Sequence, residues 1–200
     1  ISDPNDYVRA LDEAHVLVDA TIREAMIAEK ATTLAASVDC ALVEDAGLIS
    51  ETAGLVEWPV PLLGTIDEEF MGVPEEVLIS IMRTHQKYFA LRDKKGKLAP
   101  YFITISNMVT DDNGDAIISG NERVLRARLS DGRFFWDQDR KETLQSRLPS
   151  LEKITFQAKL GTVGQKAARI AALAEELAPA LSADSKAAKQ AATLSKADLV

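Results

Sequence analysis

The chain has 200 residues, a net charge of −8 and one cysteine, Cys40. These features exclude an internal disulfide and argue against a nucleic-acid-binding surface that covers the whole protein. The sequence contains no uncharged apolar stretch of 18 residues, so it predicts no membrane span, and a lone cysteine fits a reducing cytoplasm. It begins at Ile1 without a signal-peptide pattern, and we expect a fragment of a longer protein.

Charge is distributed unevenly along the chain. Residues 1–80 carry 17 acidic and 3 basic side chains, whereas residues 81–159 carry 10 acidic and 15 basic ones. Because phosphate neutralisation supplies most of the affinity for nucleic acids, only the middle of the chain fits such a partner. Any nucleic-acid contact is therefore expected to be local.

The first elements are predicted to be mainly helical. Apolar residues at three- and four-residue steps predict one amphipathic helix over residues 6–30, and a shorter helix is expected over residues 41–52, ending at Gly54. Two prolines exclude a helix over residues 57–64 and favour an extended edge segment. His15 lies on the apolar face of the first predicted helix, where a core histidine is favoured over a metal ligand.

The middle of the chain predicts a helix followed by a hairpin. Pro74 and two glutamates begin a helix with His85 near its end, again favoured as a core histidine. Residues 88–91 and 100–106 are predicted strands joined by a charged turn, and residues 111–115 form a polar loop. That loop resembles a calcium loop only faintly, because it lacks the ligand spacing and the closing glutamate.

A run rich in arginine and aromatic residues follows this loop. Ser119 and Glu122 have the capping-box spacing, so the sequence predicts a helix that begins there. At 100° per residue, Arg123, Arg126 and Arg133 lie within about 80° of one another. This stripe, together with Trp136, favours contact with RNA phosphates and bases; a solvated basic face leading into a core aromatic cluster is the alternative. Arg128 is expected to pair with Asp131.

A second set of polar residues could line a groove beside that helix. It combines the junction between the central helix and the first hairpin strand with the end of the second strand. The candidate residues are Arg83, His85, Gln86, Lys87, Asn107 and Asn121. The alternative is that they cap exposed backbone at a helix-to-strand junction.

The end of the chain predicts two helices, over residues 163–178 and 184–194, the first capped by Thr162. Helices, a small mixed or antiparallel sheet and further helices indicate an α+β fold. No nucleophile elbow, phosphate-binding loop, dinucleotide-binding turn or metal-ligand spacing is present. The residues therefore predict no self-contained catalytic site.

Six segments resemble the beta subunit of bacterial glycyl-tRNA synthetase. They are residues 55–60 (LVEWPV), 74–79 (PEEVLI), 85–89 (HQKYF), 102–107 (FITISN), 120–131 (GNERVLRARLSD) and 156–162 (FQAKLGT). The resemblance covers about residues 48–200, and the run at 120–131 is the most specific part. Residues 1–47 are only loosely similar.

The resemblance implies a subunit of a cytoplasmic tetramer of two alpha and two beta chains that uses ATP to attach glycine to its tRNA. Expected partners are the alpha subunit, tRNA(Gly) and a second beta subunit. ATP and magnesium are expected at the alpha subunit, with no cofactor in this stretch. Residues 1–159, with a helical lead-in over residues 1–50, would resemble the tRNA-editing-type domain of phenylalanyl-tRNA synthetase. Residues 160–200 would begin an HD-like helical domain.

Three hypotheses follow for the role of this stretch. In the first, the Arg123, Arg126 and Arg133 stripe, with Lys87 and Trp136, contacts the tRNA backbone. In the second, the same arginines form ion pairs within the chain or with another subunit, and the stretch is an assembly scaffold. A third, hydrolysis of mischarged tRNA, rests on analogy of fold alone.

Overall fold

The computed structural model describes residues 3–200, which divide by their contacts into two compact units. The first unit ends at Trp136, and the second comprises Asp137–Val200. The expected assignment of 1–159 and 160–200 to two family domains stays a prediction. Helices together with an antiparallel sheet confirm the α+β class. Within the described residues, none of the helices has both the length and the apolar character that crossing a membrane requires.

The first unit contains five helices and four strands among its described residues. Its helices are α1 (Tyr7–Glu13), α2 (Ala20–Ala36), α3 (Ala46–Ala53), α4 (Glu75–Ile81) and α5 (Asp115–Asp139), the last of which extends three residues past Trp136. Its strands are β1 (Ala41–Leu42), β2 (Val60–Thr65), β3 (Phe89–Arg92) and β4 (Leu98–Ser106).

The four strands form an antiparallel sheet in the order β1-β3-β4-β2. The β3–β4 hairpin confirms the two predicted strands and the charged turn between them. Strand β2 lies at one edge, as its prolines indicated, because Pro61 has no amide proton to donate to a second neighbouring strand. The predicted helix over 41–52 begins later, at Ala46, since Ala41 and Leu42 pair with β3 instead.

The sheet separates two apolar clusters. Phe89, Leu91 and Ile103 point to the side covered by α2 and α3, whereas Ala90 and Phe102 point to the side covered by α4 and α5. This alternation follows from the two-residue period of a strand. Helix α5 therefore has one face fixed against the sheet by the core.

The prediction of one helix over residues 6–30 is wrong. Helix α1 ends at Glu13, and α2 begins at Ala20 after Asp19, whose carboxylate accepts a hydrogen bond from the Thr21 amide. The intervening segment is held by the Arg23 guanidinium, which donates to the carbonyls of three residues. Those acceptors are Leu17, Val18 and Ala53. These two local hydrogen bonds and one tertiary hydrogen bond override an apolar period that continues through the break.

The start of the arginine-rich helix also differs from the prediction. Helix α5 begins at Asp115, so Ser119 lies inside it rather than at its N-terminal cap. Asp112 in the preceding loop accepts from the amides of Gly114 and Ala116 at 3.1 and 3.0 Å. Gly114 has φ +92°, and a Cβ there would lie 2.6 Å from a Leu62 methyl group, so this turn requires glycine.

The second unit is built around two helices and a small hairpin. Its elements are α6 (Leu144–Arg147), β5 (Thr155–Gln157), β6 (Gly161–Thr162), α7 (Val163–Leu177) and α8 (Ser185–Leu194). Thr162 and Gln165 form a capping box at the start of α7, which confirms the predicted cap and both terminal helices.

Candidate nucleic-acid interface

Burial along α5 fixes which side of the helix faces the core. Leu125 and Leu129 are each 1% exposed, and the half-buried Trp136 packs against the same cluster. At 100° per residue, Arg126 and Arg133 project about 60–80° from this buried line, whereas Arg123 projects about 140° from it. The three arginines therefore occupy different surroundings despite their shared stripe.

Arg126 is fixed by a two-point ion pair. Its Nε lies 2.5 Å from Asp67 Oδ2 and its second terminal nitrogen lies 3.2 Å from Asp67 Oδ1. Asp67 immediately precedes a short 3-10 turn, Glu68–Phe70, whose Phe70 is buried in the core beneath α5. The hydrogen bond from Arg126 lowers the pKa of Asp67, so the pair is fully charged at neutral pH.

Arg133 continues the same contact two helical turns further on. Its guanidinium lies 3.1 Å from Glu69 Oε2 and donates to the Glu69 carbonyl at 3.3 Å. We call residues 67–70 the acidic turn. Its carboxylates Asp67 and Glu69 neutralise two of the three stripe arginines. The hypothesis that the stripe arginines form ion pairs within the chain is confirmed for Arg126 and Arg133, whose charges are matched by carboxylates 59 and 64 residues earlier in the chain.

Two other arginines of α5 extend into water. Arg123 and Arg128 are exposed, and within residues 3–200 neither has an ion-pair or hydrogen-bond partner. The predicted Arg128–Asp131 ion pair is wrong, although the three-residue spacing permits it. An exposed pair of this kind gains little in water, so nothing compels the two side chains to meet.

The second set of candidates lies where α4 gives way to β3. Residues Met82–Gln86 form one turn of π-helix, and Lys87 follows in the left-handed conformation with φ 58°. Arg83 pairs with Asp45 at 2.5 Å, and Lys87 Nζ lies 2.7 Å from Glu51 Oε1. Asp45 caps the start of α3 and Glu51 lies within it, so these two cations join the π-turn to α3.

The histidines are both exposed, and the prediction that they are core residues is wrong. His85 lies on the π-turn, so the shift from α-helix moves it off the buried line of Leu78 and Met82. His15 lies beyond the end of α1 with φ 59°, and its ring meets the edge of Trp58 at 4.7 Å between centroids. The neighbour of His85, Gln86, is half-buried.

Both candidate asparagines serve the fold. Asn107 Oδ1 accepts from the amides of Glu57 and Trp58 at 2.7 and 2.9 Å, which fixes the chain entering β2. Asn121 accepts from the Tyr88 hydroxyl and donates to the Ile117 carbonyl at 2.7 Å. Burial raises the pKa of Tyr88 to about 12, so its hydroxyl stays a donor at neutral pH. The expected polar groove is therefore occupied in part by internal hydrogen bonds.

Residues that sequence reasoning missed are chiefly the acidic partners. Asp45, Glu51, Asp67 and Glu69 determine which cations are neutralised, and no local spacing links them to their partners. The only signal was the strongly acidic charge of residues 1–80. Across residues 3–200, no group of three or more histidine, cysteine or acidic side chains is arranged to hold a metal ion.

The family profile of the glycyl-tRNA synthetase beta subunit matches residues 1–200. Three similar relatives are glycine–tRNA ligase beta subunits from Phenylobacterium zucineum, Rhodospirillum centenum and Paracoccus denitrificans. They are 50%, 52% and 46% identical to this chain, over 100%, 98% and 100% of its length. Similarity therefore extends through residues 1–47, where only a loose resemblance was expected.

The chain spans 28–30% of the length of these relatives. The match nevertheless covers all of the core, the arginine-bearing helix and the acidic turn described above. On this evidence the chain belongs to the glycyl-tRNA synthetase beta subunit family.

Proposed function

We propose that this chain serves glycyl-tRNA synthesis as a non-catalytic part of a ligase beta subunit, where its main task is to hold a rigid scaffold. The observation that carries this proposal is the pairing of four candidate cations with carboxylates of the same unit. Those cations are Arg83, Lys87, Arg126 and Arg133. A cation paired in this way must release its carboxylate before it can bind a ligand, and its charge is already balanced within the unit.

The proposed scaffold links helices on both faces of the sheet. The Arg126–Asp67 and Arg133–Glu69 pairs attach α5 to the acidic turn, and the Arg83–Asp45 and Lys87–Glu51 pairs attach the π-turn to α3. Single exposed pairs contribute little, but four pairs that join separate elements restrict the relative movement of those elements. In the complete ligase, such a scaffold would present fixed surfaces to the alpha subunit, to a second beta subunit and to tRNA(Gly).

A tRNA backbone contact is the second candidate role. It is favoured by Arg123, the one stripe arginine that is exposed and without a partner in the described part of the chain. A phosphate contact there would position the tRNA without reading its sequence. In this proposal ATP and magnesium act at the alpha subunit, and the nucleotide chemistry takes place there.

A charge exchange between Asp67 and Arg126 tests the scaffold role. We would compare Asp67→Arg, Arg126→Asp and the double exchange in the complete ligase, assembled with its alpha subunit. If the pair is structural, each single change lowers the melting temperature, and the double exchange recovers part of the loss while leaving KM for tRNA unchanged. Thermal unfolding and steady-state glycylation measure the two effects.

A binding role for Arg126 predicts a different result. If Arg126 reaches tRNA phosphate, Arg126→Asp raises KM for tRNA, and the double exchange does not restore it because the new positive charge at position 67 stands at a different place. Lys30→Asp is the matched control, since Lys30 is exposed on α2 and has no ion-pair partner among the described residues. That change should alter neither measurement appreciably.

The non-catalytic part of the proposal has its own test. Incubation of the complete ligase with mischarged tRNA measures hydrolysis directly. Substitution of the candidates His85 and Gln86 by alanine should leave any hydrolysis rate unchanged. A rate that falls tenfold or more with either change would assign chemistry to this stretch.

A further inference from the structure

The side of α5 that faces away from the core carries two aromatic rings in water. Phe134 and Phe135 are 56% and 63% exposed, and their ring centroids lie 5.5 Å apart at an interplanar angle of 75°. Val124, about three turns earlier, is 44% exposed. Adjacent large apolar side chains that remain exposed on a helix indicate a surface that binds a partner.

The free cations lie on the same side. Around the axis of α5, at 100° per residue, Arg123 and Phe134 project in directions about 20° apart. Val124, Arg128 and Phe135 project within about 40° of one another, on the adjoining strip of the same side. We call these five residues the outer face of α5. A rise of 1.5 Å per residue places Arg128 about 10 Å from Phe135 along the axis. The outer face therefore has a cationic half and an aromatic half.

The charges of the outer face favour an anionic occupant. Arg123 and Arg128 lack partners within the described residues, whereas the arginines at the core-facing flank are neutralised by Asp67 and Glu69. Asp131 also lies on this side, one turn beyond Arg128, and leaves the balance at two cations to one carboxylate. In a unit whose first 80 residues are strongly acidic, this is a local excess of free positive charge.

We propose that the outer face of α5 binds an unpaired segment of RNA, with bases stacked on Phe134 and Phe135 and phosphates held by Arg123 and Arg128. This rests on the proposed role in glycyl-tRNA synthesis, and it names the part of the chain that meets the tRNA. Every base has a flat face that stacks on an aromatic ring, so the site is tolerant of sequence. A guanidinium group supplies the paired donors that suit a phosphate.

An unpaired segment fits this arrangement better than a duplex. In a duplex the bases are stacked on one another and only the backbone and groove edges are accessible, which would leave both phenylalanine rings unused. A protein partner could also cover exposed phenylalanines. The free guanidinium groups on the same side of α5 are the reason to choose RNA, because successive phosphates and bases of one strand can reach both halves of the outer face.

Photo-crosslinking in the complete ligase identifies the occupant. A benzophenone amino acid placed at position 135 should crosslink to tRNA, giving a product that ribonuclease shortens. The same amino acid at Leu55 is the control, because Leu55 is 65% exposed but follows α3, which covers the other face of the sheet. A crosslink from position 135 to protein alone, or an RNA yield no higher than from position 55, would overturn the proposal.

Binding measurements give an independent reading of the two halves. Phe134→Ala and Phe135→Ala should each weaken tRNA binding by about 5- to 150-fold, the range that follows from loss of one base-stacking contact. Arg123→Ala with Arg128→Ala should reduce the salt dependence of binding by about 0.7 for each lost phosphate contact on a log–log plot. Unchanged affinity in the aromatic variants together with an unchanged salt slope would also overturn it.

The outcome is separable from that of the scaffold proposal. The charge exchange at Asp67 and Arg126 alters the core-facing flank and is read by thermal unfolding. The changes at Phe134, Phe135, Arg123 and Arg128 alter exposed groups and are read by RNA binding, with a melting temperature that stays within about 2 °C of the parent protein. Either proposal can fail while the other stands.

Discussion

The two sides of α5 place the same residue type in opposite surroundings. On the core-facing flank, Arg126 and Arg133 meet Asp67 and Glu69, next to leucines that are almost fully buried. On the outer face, Arg123 and Arg128 have no partner within residues 3–200 and share one side of the helix with two exposed phenylalanines. A guanidinium therefore acquires its role from the face on which it lies and from what the rest of the fold places opposite.

A cationic stripe in a sequence is therefore not in itself a binding surface. Arg123, Arg126 and Arg133 share a helical stripe, but the acidic turn after β2 covers one part of it and leaves the other open. Substitutions on the two faces are therefore expected to differ widely in their effects on the free energy of unfolding.

The largest difference is expected between a buried and an exposed side chain of α5. Leu129→Ala should destabilise the protein by about 2–5 kcal/mol, because it leaves a cavity among well-packed neighbours. Phe135→Ala should change the free energy of unfolding by no more than about 0.5 kcal/mol, since its ring is mostly in water. Denaturant unfolding monitored by circular dichroism measures both, and a large loss in Phe135→Ala would show that the outer face is part of the fold.

A smaller effect is expected at the polar contact between α5 and the segment before β3. Tyr88→Phe should cost about 0.5–1.5 kcal/mol, the usual net worth of one hydrogen bond. The ring remains in the core beside Phe102, with centroids 4.6 Å apart, so packing is retained. A double-mutant cycle with Asn121→Ala measures the coupling between the two side chains. Additive losses would show that the Tyr88–Asn121 bond contributes nothing of its own.

The stability that the Arg126–Asp67 pair contributes on the core-facing flank of α5 should depend on pH. The pKa of Asp67 is lowered by its hydrogen bond from Arg126, so the stabilising contribution is fully present above the ordinary value of 3.8. It is lost as pH falls through the lowered folded-state pKa. The stability gap between the parent protein and Asp67→Asn should therefore be widest near neutral pH and should close in strong acid.

Thermal unfolding from pH 7 down to pH 2 checks this expectation. Asp111→Asn is the matched control, because Asp111 is exposed in the loop before α5 and has no ion pair among the described residues. It should shift the curve little at any pH. A gap that widens in acid for Asp67→Asn would contradict the assigned sign.

The sequence was sufficient wherever the signal was local. The β3–β4 hairpin, the proline-bearing edge strand and the Thr162 cap follow from short-range patterns, and the structure confirms them. The first helix was predicted wrongly because the Arg23 side chain binds carbonyls inside the break and a carbonyl at the end of α3. The start of α5 was missed because Asp112 and a glycine turn outcompete the Ser119 spacing.

The site could be predicted only in part. The run at 120–131 identified the family and the arginine-bearing helix, which the family match supports. Which arginines are neutralised depends on carboxylates about 60 residues away, and no pattern within one segment encodes such a contact. The role of each candidate in binding tRNA stays a prediction.

The most direct test compares two matched double variants in the complete ligase. Arg126→Ala with Arg133→Ala should lower the melting temperature and leave the salt dependence of tRNA binding unchanged. Arg123→Ala with Arg128→Ala should leave the melting temperature unchanged and flatten that salt dependence. If the first variant loses tRNA affinity at full stability, or the second unfolds early with its salt slope intact, the division of α5 into a structural flank and a binding face is contradicted.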